Sequence, residues 1–264
     1  MGVGFPQSEE EIVSMQIRNL SNARDRLNSV GWFMPPYVSS GFIDMVALTI
    51  ARGNGEFTQD HLESVLARVY DAERLASMIL NRYPDVPVIM LFTQTIAEAA
   101  EAHFAGLHHI AVGGLIPVVE GAGRLLANER GLDGSRGTPI RKVFEDLAGY
   151  TKGDVIARRI GATEEIVNML DSFLCFIADY FFSDSQRYPL TDGTNRHGIS
   201  HGAYTDADYG KPINFYKTIA AVDFLTFISS LKTTKMSGFV PNHTPESKAL
   251  ALRYAALAES ASPR

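Results

Sequence analysis

The segment Asn195-Arg196-His197-Gly198-Ile199-Ser200-His201-Gly202 gathers an arginine, two histidines and an asparagine into eight residues. An arginine grips a phosphate through its planar fork of N–H donors. A histidine titrates near neutral pH and can move a proton to or from a reacting oxygen. Gly193, Gly198 and Gly202 flank these groups, and a residue without a Cβ lets backbone or substrate come close. Arg196 and His201 lie five positions apart, about 140° around a regular helix. They converge only where a helix begins or distorts, or where a second chain contributes. His197 and His201, four apart, share one face.

On the residues alone, three readings of this segment stand open. In the first, Asn195 caps a helix, Arg196 pairs with a carboxylate and the histidines satisfy backbone groups. In the second, the His-x-x-x-His spacing holds zinc or another divalent ion, with Asp206, Asp208 or Glu120 as third ligand. In the third, Arg196 grips a phosphate while a histidine moves a proton. Glu120 follows the apolar run Leu115-Ile116-Pro117-Val118-Val119. A carboxylate there either faces solvent or is buried with a partner, Arg196 or a histidine. His108 and His109 point about 100° apart on a helix and make poor joint ligands.

The elements that must position these groups read as helices, and the fold class is all-α. Ser8 with Glu11 reads as a capping box opening a helix to about Val30, with Ile12, Met15, Ile17, Leu20 and Leu27 as its apolar stripe. Gly31-Trp32-Phe33-Met34-Pro35-Pro36-Tyr37 ends it. Further helices are expected over about 41–51, 58–82, 88–105, 107–130, 139–150 and 163–182. Pro117 and Gly113-Gly114 should bend the helix over 107–130 or delay its start. Residues 131–137 read as a glycine-rich loop, the best place for an insertion or a mobile segment. A core helix over about 212–231 and a last helix over 245–257 complete the chain. The organisation is an N-terminal helical region over 1–85, a helical bundle over 86–235 and a C-terminal helix and tail over 236–264, or one continuous domain.

The chain of 264 residues, 45% hydrophobic and 20% charged, has the composition of an ordinary globular protein. Its net charge of -6 does not suit a protein that coats nucleic acid, which needs a basic surface, but leaves room for a local basic site. It also argues against an anionic membrane surface. The single cysteine, Cys175, excludes an intramolecular disulfide and reads as a buried small hydrophobe. The first residues lack the basic start and apolar run of a signal peptide. The longest uncharged apolar run considered, 110–119, is too short to span a bilayer. The expectation is a cytoplasmic protein without a membrane partner. Trp32, Phe33 and Tyr37 read as core packing rather than as base-stacking platforms, and Arg141-Lys142 and Arg158-Arg159 as solvated pairs.

Arg196-His197-Gly198-Ile199-Ser200-His201 resembles the Arg-x(4–6)-His signature of HEPN-domain proteins. The longer string, Asn195 to Gly202 followed by Tyr209-Gly210 and Asn214 before an apolar helix, is similar to a bacterial HEPN-like group. Gly31-Trp32-Phe33-Met34-Pro35-Pro36 and Gly114-Leu115-Ile116-Pro117-Val118-Val119-Glu120-Gly121 resemble two further elements of that group. The resemblance implies a HEPN-type bundle over 86–235 that works as a homodimer. It implies metal-independent RNA cleavage, with no cofactor, by attack of the ribose 2′-OH. Arg196 and His201 would be catalytic, and Asn195, His197, Glu120, Tyr209 and Asn214 would bind the substrate or orient it or the catalytic pair. Such proteins act as toxins or in phage defence, with RNA and an antitoxin protein as partners. Other members are noncatalytic helical modules that bind a protein, nucleotide or RNA.

Overall fold

The computed structural model describes residues 9–232 and 239–261. Among them are eleven α-helices and no strand, so the all-α class is correct. The helices are α1 (Glu9–Ser29), α2 (Ser40–Arg52), α3 (Gln59–Val69), α4 (Ala72–Asn81), α5 (Thr93–Phe104) and α6 (His108–Glu129). They continue as α7 (Ile140–Arg158), α8 (Thr163–Cys175), α9 (Arg196–Ser200), α10 (Pro212–Ser230) and α11 (Pro245–Ala261). Ser8 and the side chains of Glu11, Ile12, Met15 and Ile17, expected to cap and stripe α1, lie outside the described residues.

The core is built around α10, buried along nearly its whole length and packed on α6 and α3. A helix buried on every side must find partners for its polar residues. Thr218 and Thr226 bond back to the carbonyls of Asn214 and Val222. Asp223 receives Tyr83 Oη at 2.7 Å and Arg74 Nη2 at 3.1 Å. Phe224 stacks on Phe173 of α8 with centroids 4.2 Å apart, and Phe33 meets both rings. Trp32, Phe33 and Tyr37 are therefore core residues. One apolar cluster joins residues from Ala23 to Tyr254.

Several helices differ from the expectation. The helix expected over 58–82 is two, because Asp71 leaves the helix and caps α4 by accepting the Arg74 N–H at 2.8 Å. Apolar periodicity runs through that break and hides it. At the start of the segment over 88–105, Val88 has φ 68° and residues Ile89–Phe92 form a 3-10 turn before α5. Pro117 does not delay α6, which starts at His108. The carbonyl it leaves unpaired belongs to Gly113, and both residues lie on the exposed face. Helix α7 runs eight residues past the expected end, because Val155 is buried and Lys152 pairs with Asp171. Arg159, in the left-handed region, closes it. Within the segment over 163–182 the last turn, Phe176–Phe181, is a π-helix. Cys175 is half-exposed rather than buried, on the outer side of α8 where its thiol reaches Asp179.

The window of α6 is long and apolar enough, by length and composition, to cross a membrane, and 56% of it is buried inside the protein. The apolar character continues past Val119 because Glu120 and Arg124 are the only charges before Glu129.

His103, at the end of α5, stacks on Phe215 of α10 at 4.0 Å and faces His108 Nδ1 at 3.2 Å. Burial, and then His108, pushes its pKa down from 6.5 to about 3. Between those values the unfolded chain binds a proton that the folded chain does not. Stability should therefore fall as pH drops below about 6.5, by roughly 3 kcal/mol at pH 4 from this group. Thermal melts across pH should show a flatter acid limb for His103→Phe than for the wild type.

Candidate functional site

Asn195 sets the site up. It is fully buried and is the N-cap of α9. Its Oδ1 accepts the Gly198 N–H at 2.8 Å. Its Nδ2 donates to the carbonyls of Tyr180 and Ser183 at 2.9 and 3.0 Å, and to Ser183 Oγ at 3.1 Å. The residue thus ties the first turn of α9 to the π-helical end of the preceding helix. A π turn leaves carbonyls to satisfy, and Asn195 takes that of Tyr180. Asn195 is a positioning residue with no surface for a substrate.

Arg196 opens α9, and His201 lies just beyond its end at φ -100° and ψ 4°. The helix is only five residues long, so the long guanidinium side chain spans to His201 despite their angular separation. Arg196 Nη1 donates to His201 Nε2 at 2.8 Å and to His197 Nδ1 at 3.3 Å. A guanidinium has no acceptor, so both ring nitrogens accept, and a neutral His201 carries its proton on Nδ1. The two histidine rings stack 5.5 Å apart. Burial, then the neighbouring Arg196 and His201, holds the His197 pKa below its ordinary value, which favours a neutral ring. His201 is exposed.

Glu120 of α6 closes the cluster from the other side. Its Oε2 receives Arg196 Nε at 3.1 Å and Nη2 at 2.9 Å, with the pair about one-fifth exposed (20% and 23%). Its Oε1 receives Arg124 Nε and Nη2, each at 3.3 Å. Arg124 also donates to the carbonyls of Ser135 and Thr138 at 2.6 and 3.1 Å, which ties down the glycine-rich loop. Hydrogen bonds therefore link that loop to Arg124, Glu120, Arg196 and His201 in turn.

Of two further expected site residues, one stands elsewhere and one lies buried beneath the motif. Tyr209 packs edge-on against His109, 4.8 Å between centroids, and His109 precedes Glu120 by about 16 Å along α6. Asn214 is fully buried. It accepts the N–H groups of Gly210 and Lys211 at 3.0 and 2.8 Å, and donates to Asp192 O at 2.6 Å and Thr194 Oγ1 at 2.8 Å. All its capacity goes to holding the loops on either side of α9, so it does not touch substrate.

The candidate third metal ligands are engaged otherwise. Asp208 accepts Thr205 N–H and Oγ1–H at 2.7 and 2.9 Å, Asp206 stands 3.8 Å from His109, and Glu120 serves the arginines. Among the described residues no three His, Cys, Asp or Glu groups are arranged to hold an ion. The basic pairs are exposed, as expected, with one residue of each ion-paired: Lys142 with Asp146, and Arg158 with Asp154.

The glycines do different work. A Cβ on Gly198 would strike the Tyr204 ring, and one on Gly193, at φ 69°, would strike the Asp208 carbonyl. Gly202 has nothing within 4 Å.

Beneath the motif lies a network not expected from its immediate sequence. Lys217 Nζ, fully buried, donates to Asp192 Oδ2 at 3.0 Å and Gln59 Oε1 at 2.8 Å. Asp192 also receives Tyr188 Oη at 2.9 Å and the Thr194 hydroxyl. Burial would raise the Asp192 pKa, but the Lys217 ammonium and the hydroxyl donors hold it below the ordinary value. The ion pair fixes the strand of chain that delivers Asn195 and Arg196. The available signal was Lys217 itself, a charge in an apolar helix that has to be paired.

The chain matches no family model, no curated protein and no solved structure.

Proposed function

We propose that the protein is a HEPN-like, metal-independent endoribonuclease that acts as a homodimer. The observation that carries this reading is the 2.8 Å contact between Arg196 Nη1 and the exposed ring of His201. A guanidinium beside an imidazole is the pair needed to cradle a phosphate and move a proton next to it. In the proposed step, an RNA phosphate draws the Arg196 guanidinium onto its oxygens and frees His201 Nε2. That nitrogen takes the proton of the adjacent 2′-OH, whose oxygen attacks phosphorus. The P–O5′ bond breaks, and the leaving 5′-oxygen takes a proton from a protonated His201 of the other copy. The products are a 2′,3′-cyclic phosphate and a 5′-OH. A role as a toxin or in phage defence goes with this activity.

The test is a ribonuclease assay in EDTA with end-mapping of products. Cleavage by the wild type that leaves cyclic phosphate ends and is lost in His201→Ala supports the proposal. Equal activity in the two proteins refutes it.

A second reading is favoured by one observation: Glu120 neutralises Arg196. In that case the protein is a noncatalytic module that binds RNA, a nucleotide or a protein partner. Glu120→Gln separates the two. For the nuclease, loosening Arg196 should lower cleavage roughly 10- to 100-fold, as misplacement of a catalytic group does. For the binding module no cleavage exists to lose, and a freed guanidinium should tighten RNA binding.

A further inference from the structure

A cavity of about 410 Å³ opens near the far end of α10, between the segment joining α1 to α2 and the start of α8. Phe227, on its wall, is about 15 Å along α10 from Lys217, so the cavity is separate from the motif. Its size is that of a small-molecule site.

Its chemistry is one-sided. Tyr37 and Phe227 meet edge to face, 6.1 Å between centroids and 86° between planes, and form an aromatic corner. Phe239 stands at the rim, and Pro36 and Met169 extend the apolar wall. Among the described residues the only charged side chain in the lining is Glu165. Half-buried, it has no ion pair or side-chain hydrogen bond among the described residues. It lies in the first turn of α8.

The corner is held in place with care. Tyr37 has φ 61°, a conformation that a bulky residue adopts only when its surroundings impose it. Arg74 imposes it, donating to the Tyr37 and Pro36 carbonyls at 3.0 and 3.5 Å while paired with buried Asp223. The Tyr37 ring already takes one cation: the Arg82 guanidinium lies 5.5 Å from its centroid.

Aromatic rings beside a carboxylate attract a soft, weakly hydrated cation. We propose that this cavity binds a quaternary or alkylated ammonium group, with the cationic head between Tyr37, Phe227 and Glu165 and its aliphatic part against Met169 and Pro36. The buried Arg74–Asp223 pair then serves to hold the recognition corner.

The test is a calorimetric and NMR titration of the full chain with choline, with its neutral isostere 3,3-dimethylbutanol and with the anion 3,3-dimethylbutyrate. Choline should bind at least tenfold more tightly than either and shift the Met169 methyl resonance. Glu165→Gln, on a half-exposed side chain, should keep the wild-type melting temperature and weaken choline at least tenfold. Phe227→Leu should weaken it as well. A trimethyllysine peptide run in parallel assigns the ammonium group to a free small molecule or to a protein side chain, according to which binds more tightly. The proposal is overturned if the neutral isostere binds as well as choline, if the anion binds better, or if Glu165→Gln leaves the affinity unchanged. Absence of binding by choline and the peptide up to about 10 mM, an affinity too weak for recognition, also overturns it.

Discussion

His201→Ala is expected to fold like the wild type and to cut RNA at least about 100-fold more slowly, the usual worth of a positioned general acid or base. The fold should survive because the His201 ring is exposed and, among the described residues, its hydrogen bond and ring contact are with Arg196 and His197. Arg196→Ala should lose as much, because the charge growing on the phosphate oxygens then has no guanidinium. Its structural cost is small: Glu120 keeps Arg124, and the lost pair is of the partly exposed kind, worth about 1 kcal/mol or less. Matched circular dichroism and melting curves alongside the cleavage assay separate lost chemistry from lost structure. Unchanged cleavage in either variant would remove that residue from the mechanism.

The second large effect lies below the surface. Asp192→Ala strands the Lys217 ammonium in a site with no exposure and leaves the Thr194 and Tyr188 hydroxyls without their acceptor. Breaking one side of a buried ion pair costs about 3–5 kcal/mol. For a protein of this size that is a fall of about 10 °C in Tm. The pH dependence has a definite sign. The Asp192 pKa is depressed in the folded protein, so its contribution is present above the unfolded carboxylate value and is lost as pH falls through the folded one. A double variant, Asp192→Asn with Lys217→Met, should recover much of the loss, because it removes the stranded charge along with its partner. Additive losses in the cycle would show that the pair is not coupled. Asp192→Ala should also disturb the Arg196–His201 contact, since the Asp192 carboxylate holds Thr194, the residue just before Asn195.

The helical class, the order of the helices and the segment holding Arg196 and His201 were legible in the sequence. The reason is local. Apolar spacing at the helical period, caps such as Thr58 and breaks such as Gly31-Trp32-Phe33-Met34-Pro35-Pro36 act over a few residues, and tertiary contacts reinforce them. The cap role of Asn195 belongs with these, as does the requirement that Arg196 and His201 meet only where a helix begins or distorts or a second chain contributes.

What tertiary structure decided is which polar groups meet across distance in the chain. Glu120 lies 76 positions from Arg196; its sequence left Arg196 or a histidine as the partner, and the packing of α6 against α9 selects Arg196. Asn214 and Tyr209 look like site residues by proximity in sequence. Packing buries the first as a loop clamp and carries the second to His109. The continuation of α7 past Tyr150 was settled the same way, by whether Val155 reaches the core. A buried charge announces in sequence that it needs a partner. Only the fold, by choosing which charges share one desolvated space, names that partner: Asp192 for Lys217 and Arg74 for Asp223.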